Sequence, residues 1–272
     1  MRKKVTALEK KTFISEGVVL KILDKSEADK IVILLTPHEG ILRTIAKQAK
    51  WSTRRFGGRL ELFNRLKIRC TRKERGITYL EETELIQRFA KISHNPFMFG
   101  MVTTVAEILT IGWGEGEEAL DAYDFLLKYL ETAHCGELDT NRHILEFFRL
   151  VAVLGYQPML DSCISCGTQA EKFFFFDIRE GAIFCSKCVE GKNNNKSSEF
   201  FVKLSPQTLR TLQASYAMKS KKLGRLKFTE QGRKEATLLW ENYVRYLFGV
   251  NLKSIEFMKK LERFELKNLK NN

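Results

Sequence analysis

The stretch Leu42–Arg75 reads LRTIAKQAKWSTRRFGGRLELFNRLKIRCTRKER, with twelve arginines and lysines against only Glu61 and Glu74, a local charge of +10. Towards its end it alternates, Arg65, Lys67 and Arg69 falling between Leu66, Ile68 and Cys70. Successive side chains of an extended chain point to opposite faces, so this pattern predicts a strand with one cationic face and one core face. Upstream, Trp51 and Phe56 are set among Lys50, Arg54 and Arg55, and Gly57-Gly58 lets the backbone bend. Cations for a phosphate backbone and flat rings for bases are what a single nucleic-acid strand requires. The plain alternative, a solvated edge kept soluble by charge, leaves unexplained why one sign, aromatic content and strand alternation coincide. Lys47, Lys50, Trp51, Arg54, Arg55, Arg59, Arg65, Lys67 and Arg69 are therefore the candidate nucleic-acid contacts.

Working outward, the period of two continues. Val18, Leu20 and Ile22 alternate with their neighbours, Ile31–Leu35 is a short run rich in β-branched residues, Pro37-His38-Glu39-Gly40 supplies turn chemistry, and Ile41–Ala46 and Ile77–Glu82 read as further strands. Five strands in about seventy residues suggest a small closed barrel, and the oligonucleotide-binding (OB) barrel is the natural candidate, with a small sandwich or an SH3-like barrel as alternatives.

Near Phe89 the period changes. Ser93 is expected to cap a helix running to about Ile111, with Phe97, Met101, Val105, Ile108 and Leu109 on one stripe and Gly112-Trp113-Gly114 as its stop. Glu115, Glu117 and Glu118 are expected in the first turn of a second helix, where the dipole favours negative charge. Asp139 or Thr140 opens a third helix. The acidic cluster Glu115–Asp124 has no histidine beside it and reads as a solvated face, not a metal site.

Cys163-Ile-Ser-Cys166 is followed, after eighteen residues, by Cys185-Ser-Lys-Cys188. Each pair spans one edge of a tetrahedron, and a hairpin between them brings the pairs together, so the expected occupant is one structural Zn²⁺ in a zinc ribbon. Four thiolates leave no open coordination position for hydrolytic work. Cys70 and Cys135 stand outside this scheme and are expected to be small buried residues. Beyond a polar loop at Gly191–Ser198, Ser205-Pro206 caps a helix, and Thr229 caps another with Ala236, Leu239, Trp240, Tyr243, Leu247 and Phe248 on its apolar face. Between those helices lies a second basic cluster, Lys219, Lys221, Lys222, Arg225 and Lys227, which reads equally as an extension of the nucleic-acid track or as a solvated linker.

The 272 residues suffice for two domains, and 44% hydrophobic content builds real cores. The net charge of +13 is uneven, with basic ends and an acidic middle, which points to a polyanion partner for the ends. No apolar run reaches membrane-spanning length, and no secretory apolar region follows the basic start Arg2-Lys3-Lys4, so a cytoplasmic location with reduced thiols is expected. His38, His94, His134 and His143 show no catalytic partner and read as surface or helix-start residues; a zinc-dependent hydrolase or deaminase would need an HxE or HExxH motif, which is absent. An RNA-binding or translation-associated zinc-ribbon module shares the barrel and the charge, and composition does not separate it from a DNA binder.

In its order of elements the chain resembles the RecO family of DNA repair and recombination mediator proteins. The resemblance is carried by Glu16-Gly17-Val18-Val19-Leu20, Asp29-Lys30, Leu35-Thr36-Pro37 with Gly40, Ala46-Lys47, and Gly57-Gly58 with Leu60. It continues through Leu154-Gly155-Tyr156 with Pro158, Leu160, Cys163, Cys166 and Gly167, and through Tyr246-Leu247-Phe248-Gly249 with Lys253-Ser254. It implies an OB-fold domain over 1–88 and a helical domain over 89–160 and 201–272, interrupted by a zinc ribbon over 161–200. It further implies a non-catalytic protein that binds single- and double-stranded DNA, anneals complementary strands, and works with RecR to load RecA onto DNA coated by single-strand-binding protein. RecR, the acidic C-terminal tail of that coating protein and RecF are the implied partners.

Overall fold

The computed structural model describes residues 11–73, 76–192 and 200–270. Arg2-Lys3-Lys4, Glu74 and Arg75, and the expected polar loop from Asn193 onward lie outside them. The chain divides into two compact units, Met1–His94 with Ala106–Glu131, and Asn95–Val105 with Thr132–Asn272. Among the described residues no helix is long and apolar enough to cross a membrane.

In the first unit, β1 (Lys11–Asp24), β2 (Lys30–Thr36), β3 (Gly40–Ala46), β4 (Arg65–Arg72) and β5 (Thr78–Gln87) close into a barrel in the order β1-β2-β3-β5-β4. β1 is long enough to serve two partners. Its first half pairs antiparallel with β4, Lys11 opposite Arg72 to Val18 opposite Arg65, and its second half with β2, Val18 opposite Leu35 to Asp24 opposite Lys30. A register shift between Val19 and Lys21 bends the strand where it changes partner. The barrel closes through a parallel contact of only two residue pairs, Thr44 with Thr78 and Ile45 with Tyr79. Alternation puts Val19, Val32, Leu34, Leu42, Leu66, Ile68 and Leu80 inside, each contributing about 1.5–3 kcal/mol by leaving water. Cys70 is among them, and burial pushes its thiol up to about 12, as the expected small core residue.

Within the same unit the segment 113–119 lies along the β2–β3 hairpin. Ile41 N–H donates to the Gly114 carbonyl (3.1 Å), Gly116 N–H to Glu39 (2.9 Å) and Ala119 N–H to Pro37 (2.8 Å). Gly40 takes φ +58°, and a Cβ there would sit 2.5 Å from the Gly114 oxygen and 2.6 Å from the Glu117 oxygen, so only glycine permits this approach.

The second unit is built on α4 (Thr140–Val153), whose Ile144, Leu145, Phe147, Phe148, Leu150 and Val151 are buried. The Asp139 carboxylate caps it by accepting from Arg142 N–H at 2.7 Å. It packs with α6 (Pro206–Ala217) and α7 (Glu230–Phe248), where Trp240 meets Phe147 at 5.1 Å and His143 edge-on at 5.6 Å. A three-stranded sheet, β6 (Phe174–Asp177) between β7 (Ala182–Cys185) and β8 (Phe201–Leu204), joins α7 through Phe176 against Tyr243. α5 (Ser186–Lys192) follows β7, and α8 (Lys253–Lys270) is the last element.

Several expectations are corrected. The helix α2 (Pro96–Gly112) starts later than Ser93, which lies in a 3₁₀ turn over Ala90–His94; Asn95 Oδ1 is the cap, accepting Met98 N–H at 3.0 Å, because Pro96 presets the first helical dihedral. Glu115, Glu117 and Glu118 precede α3 (Leu120–His134) instead of opening it, since the backbone bonds to the β2–β3 hairpin hold that segment irregular. β8 has no counterpart in the sequence reading, being four residues whose partner β6 must be known first. The cluster around Lys222 is a 3₁₀ helix, Ser220–Arg225, and not a loop. Cys135 is exposed, because it follows the last residue of α3. His143 is a core residue whose burial pushes its imidazole down to about 4.

Candidate nucleic-acid interface and metal centre

The nine candidate contacts divide by what their side chains already do. Lys50 Nζ lies 3.2 Å from Asp24, Arg65 Nη2 2.6 Å from Glu16, and Arg69 Nη2 2.7 Å from Glu82. Arg55 donates to Ser52 Oγ (3.1 Å) and to the Lys47 carbonyl (2.9 Å). Arg59 directs one nitrogen at the carbonyls of Arg54, Arg55 and Thr83, at 3.2, 3.1 and 2.6 Å. It fastens α1 (Thr53–Phe56) to β5, assisted by Thr83 Oγ1 donating to Arg55 O at 2.8 Å. Outside the candidate set, Arg72 pairs with Glu39 and Arg43 with Glu115.

Lys47, Arg54 and Lys67 are exposed and have no carboxylate partner among the described residues, and of these Arg54 and Lys67 share a groove. That groove, of about 560 Å³, is lined also by Arg59, Arg69, Ile14 and Leu85, flanked by Glu82 and Glu84. In register Lys67 stands between Glu16 on β1 and Glu84 on β5, so the wall is mixed in sign with a cationic excess. Ile14, 64% exposed on a strand edge, gives the groove an apolar lip.

The rings separate as well. Trp51 is 73% exposed, available for stacking. Phe56 is 2% exposed and belongs to the barrel core: the single turn of α1 rotates it inward, and it carries Arg55 at 5.0 Å on its face. Tyr79, which sequence reading passed over, has Lys47 Nζ 5.0 Å and Lys73 Nζ 4.7 Å from its ring centre. The signal for it was the alternation of Ile77–Glu82, which places Tyr79 and Glu81 on a face opposite Leu80.

In the second unit Cys163, Cys166, Cys185 and Cys188 have all sulfurs within 4.8 Å of one another, the one such group of potential ligands among the described residues. Cys185 ends β7 and Cys188 lies in α5, while the other pair forms a turn closed by Gly167 N–H donating to Cys163 O at 2.8 Å. The Cys166 and Cys185 sulfurs are 3.6 Å apart, against about 3.8 Å for the edge of a tetrahedron with metal–sulfur bonds of about 2.3 Å. Burial opposes ionisation of Cys163, but backbone N–H groups of Cys185, Cys166 and Ser165 bring it down to about 6, whereas in Cys166 and Cys188 hydrogen bonds from Thr168 N–H and from Ser165 are outweighed by those among the sulfurs and both thiols are raised. The donor set fits a closed tetrahedral metal site.

The second unit also holds an apolar cavity of about 150 Å³ lined by Phe97, Met101, Ile144, Trp240 and Met258. Glu241 and Glu262 share its rim with Lys259, so it lacks the basic rim an acidic tail would need.

Two family models match the chain, one described as recombination protein O N terminal over residues 11–89 and one as recombination protein O C terminal over residues 93–256. Among curated proteins, the DNA repair protein RecO of Bacillus pumilus is 28% identical over 251 residues, covering 91% of this chain and 94% of the relative. That of Desulfatibacillum aliphaticivorans is 29% identical over 257 residues, with 92% and 97% covered. That of Syntrophotalea carbinolica is 33% identical over 180 residues, with 65% and 69% covered.

Proposed function

Because this chain belongs to the recombination protein O family, we propose that it is a non-catalytic mediator of DNA repair. It binds single- and double-stranded DNA, anneals complementary strands, and loads RecA with RecR onto DNA coated by single-strand-binding protein. The observation that carries this reading is the match of both halves of the chain to one family, together with a groove in which Arg54 and Lys67 are free to neutralise phosphates. On this reading the closed five-stranded barrel is an OB-fold, residues 1–88 being the nucleic-acid domain, 89–160 and 201–272 the helical domain, and 161–200 a zinc ribbon. RecR, the coating protein's acidic tail and RecF are its partners.

The division of the cations supports a specific mechanism. Lys47, Trp51, Arg54 and Lys67 meet the strand, whereas Lys50, Arg55, Arg59, Arg65 and Arg69 brace the surface that presents them. Neutralising phosphates on two strands reduces their repulsion, so annealing needs no bond chemistry. Contact with about six phosphates of a single strand gives a log–log salt slope near −4. Zn²⁺, held by the four cysteines, serves as a structural cross-link; in zinc-finger peptides such sites supply on the order of 10–16 kcal/mol of apparent binding energy.

The deciding experiment is pairing of two complementary oligonucleotides, one coated by single-strand-binding protein, with and without this protein. Acceleration is the expected result. An unchanged pairing rate, with DNA affinity also absent, would remove the reading. Competition with a matched RNA strand tests the nucleic-acid class, since only a 2′-OH reader should prefer RNA.

A further inference from the structure

We propose that the 3₁₀ helix Ser220–Arg225 is a second, independently anchored phosphate-binding site, which takes the backbone of a DNA strand. The inference rests on the DNA-binding reading above and adds a site to it. Residues 219–227 carry Lys219, Lys221, Lys222, Arg225 and Lys227 and no carboxylate. A 3₁₀ helix has three residues per turn and a rise of about 2 Å per residue, so residues three apart eclipse with a spacing of about 6 Å. The inner row is Ser220 and Leu223, the latter fully buried. The outer row is Lys219, Lys222 and Arg225, with Lys221 on the third side, and all four are exposed.

The inner row is held by an unusual arrangement. Arg142, with its side chain only 5% exposed, donates to the Ser220 carbonyl (3.1 Å), to Thr132 Oγ1 (3.1 Å) and to Glu137 (2.9 Å). Glu146, 3% exposed and 3.8 Å from Arg142, accepts from Ser220 Oγ at 2.9 Å. A Cβ at Gly224 would lie in ordinary contact with Arg142 Nη1, at 3.9 Å. Lys227 leaves the outer set by pairing with Asp139 at 2.6 Å. Burying an ion pair is costly and is weak support for stability as such. Here it fixes the backbone of a segment whose outward side chains are all cations, and a solvated linker needs no such fixing.

The contrast with the barrel decides the ligand. There, between Arg43 and Lys73, seven of the eleven cations meet carboxylates or carbonyls of their own unit, whereas Lys219, Lys221, Lys222 and Arg225 meet no carboxylate among the described residues. Four uncompensated cations on a rigid turn, with no aromatic ring among them, suit a phosphate backbone and give no base readout. A protein with two such sites can hold two strands at once.

The test measures binding of a long labelled oligothymidine to the full chain across about 50–200 mM salt. Three proteins are compared: wild type, the quadruple variant Lys219→Ala/Lys221→Ala/Lys222→Ala/Arg225→Ala, and the barrel variant Arg54→Ala/Lys67→Ala. The quadruple variant should keep its melting temperature and lose about 2.8 from the magnitude of the slope, at about 0.7 per phosphate. The milder reversal Lys222→Glu should lower it in the same sense. An unchanged slope in the quadruple variant, with the barrel variant weakened, overturns this site alone and leaves the turn to an acidic protein surface. A wild type that binds no DNA overturns the mediator reading and this site with it.

Discussion

Arg54 and Arg59 are five residues apart in one basic loop, yet their replacement should have opposite signatures. Arg54 and Lys67 point into the groove without a carboxylate partner among the described residues, so the double variant Arg54→Ala/Lys67→Ala removes phosphate contacts and little else. For a single strand each lost phosphate lowers the log–log slope by about 0.7, so the pair removes about 1.4. Referred to molar salt, that is a roughly fifteenfold weaker affinity at about 0.15 M and a smaller loss as salt rises. Arg59, in contrast, is spent on three carbonyls. Arg59→Ala leaves those oxygens short of a donor in a half-buried position, a cost of about 1–3 kcal/mol in barrel stability. The assay is fluorescence anisotropy with a labelled oligonucleotide at several salt concentrations, beside a thermal melt of each protein. A double variant with the wild-type slope, or an Arg59→Ala protein that melts normally while its slope falls, would refute the division between contacting and bracing cations.

Replacing one metal ligand, Cys185→Ser, leaves three thiolates and should reduce bound metal, measured by elemental analysis of the purified protein, from one ion per chain to a small fraction; full occupancy would refute the four-cysteine centre. Gly40→Ala forces a Cβ onto two backbone oxygens at a positive φ and should cost more than about 2 kcal/mol, seen as a melting temperature lower by several degrees. A variant as stable as wild type would refute the close packing of the segment 113–119 on the hairpin. Burial lowers the His143 imidazole to about 4 in the folded chain, while the unfolded chain takes up its proton below about 6.5. The unfolded state therefore binds more protons in that window, and up to about 3 kcal/mol of stability should be lost as pH falls from 6.5 to 4. His143→Gln should flatten that part of the denaturation profile, and parallel wild-type and variant profiles would contradict it.

What was legible in the sequence was whatever a single segment encodes by itself. The alternation Arg65–Cys70 gave β4 its two faces, and Asp139, Ser205 and Thr229 cap their helices because a side-chain oxygen needs only the next three residues to act. The cysteine spacing sufficed to bring four sulfurs together. What was illegible depended on a partner strand. Arg69 faces Glu82 and Arg65 meets Glu16 only because of barrel register, which no local pattern states, so cations that look alike in the chain divide into braced and available ones. Phe56 misled for the same reason: one turn of α1 decides which way a ring among arginines points.

The two-pair parallel contact between β3 and β5 has a kinetic corollary. Those strands are separated in the chain by the loop and strand that carry the arginines and lysines, so sealing the cylinder gathers like charges, of which Arg65 and Arg69 meet their carboxylates through the β1–β4 and β4–β5 pairings. Loop closure and mutual repulsion then oppose the same closure. Added electrolyte should consequently hasten refolding of this half of the protein, even as it weakens the nucleic-acid binding proposed for the finished surface.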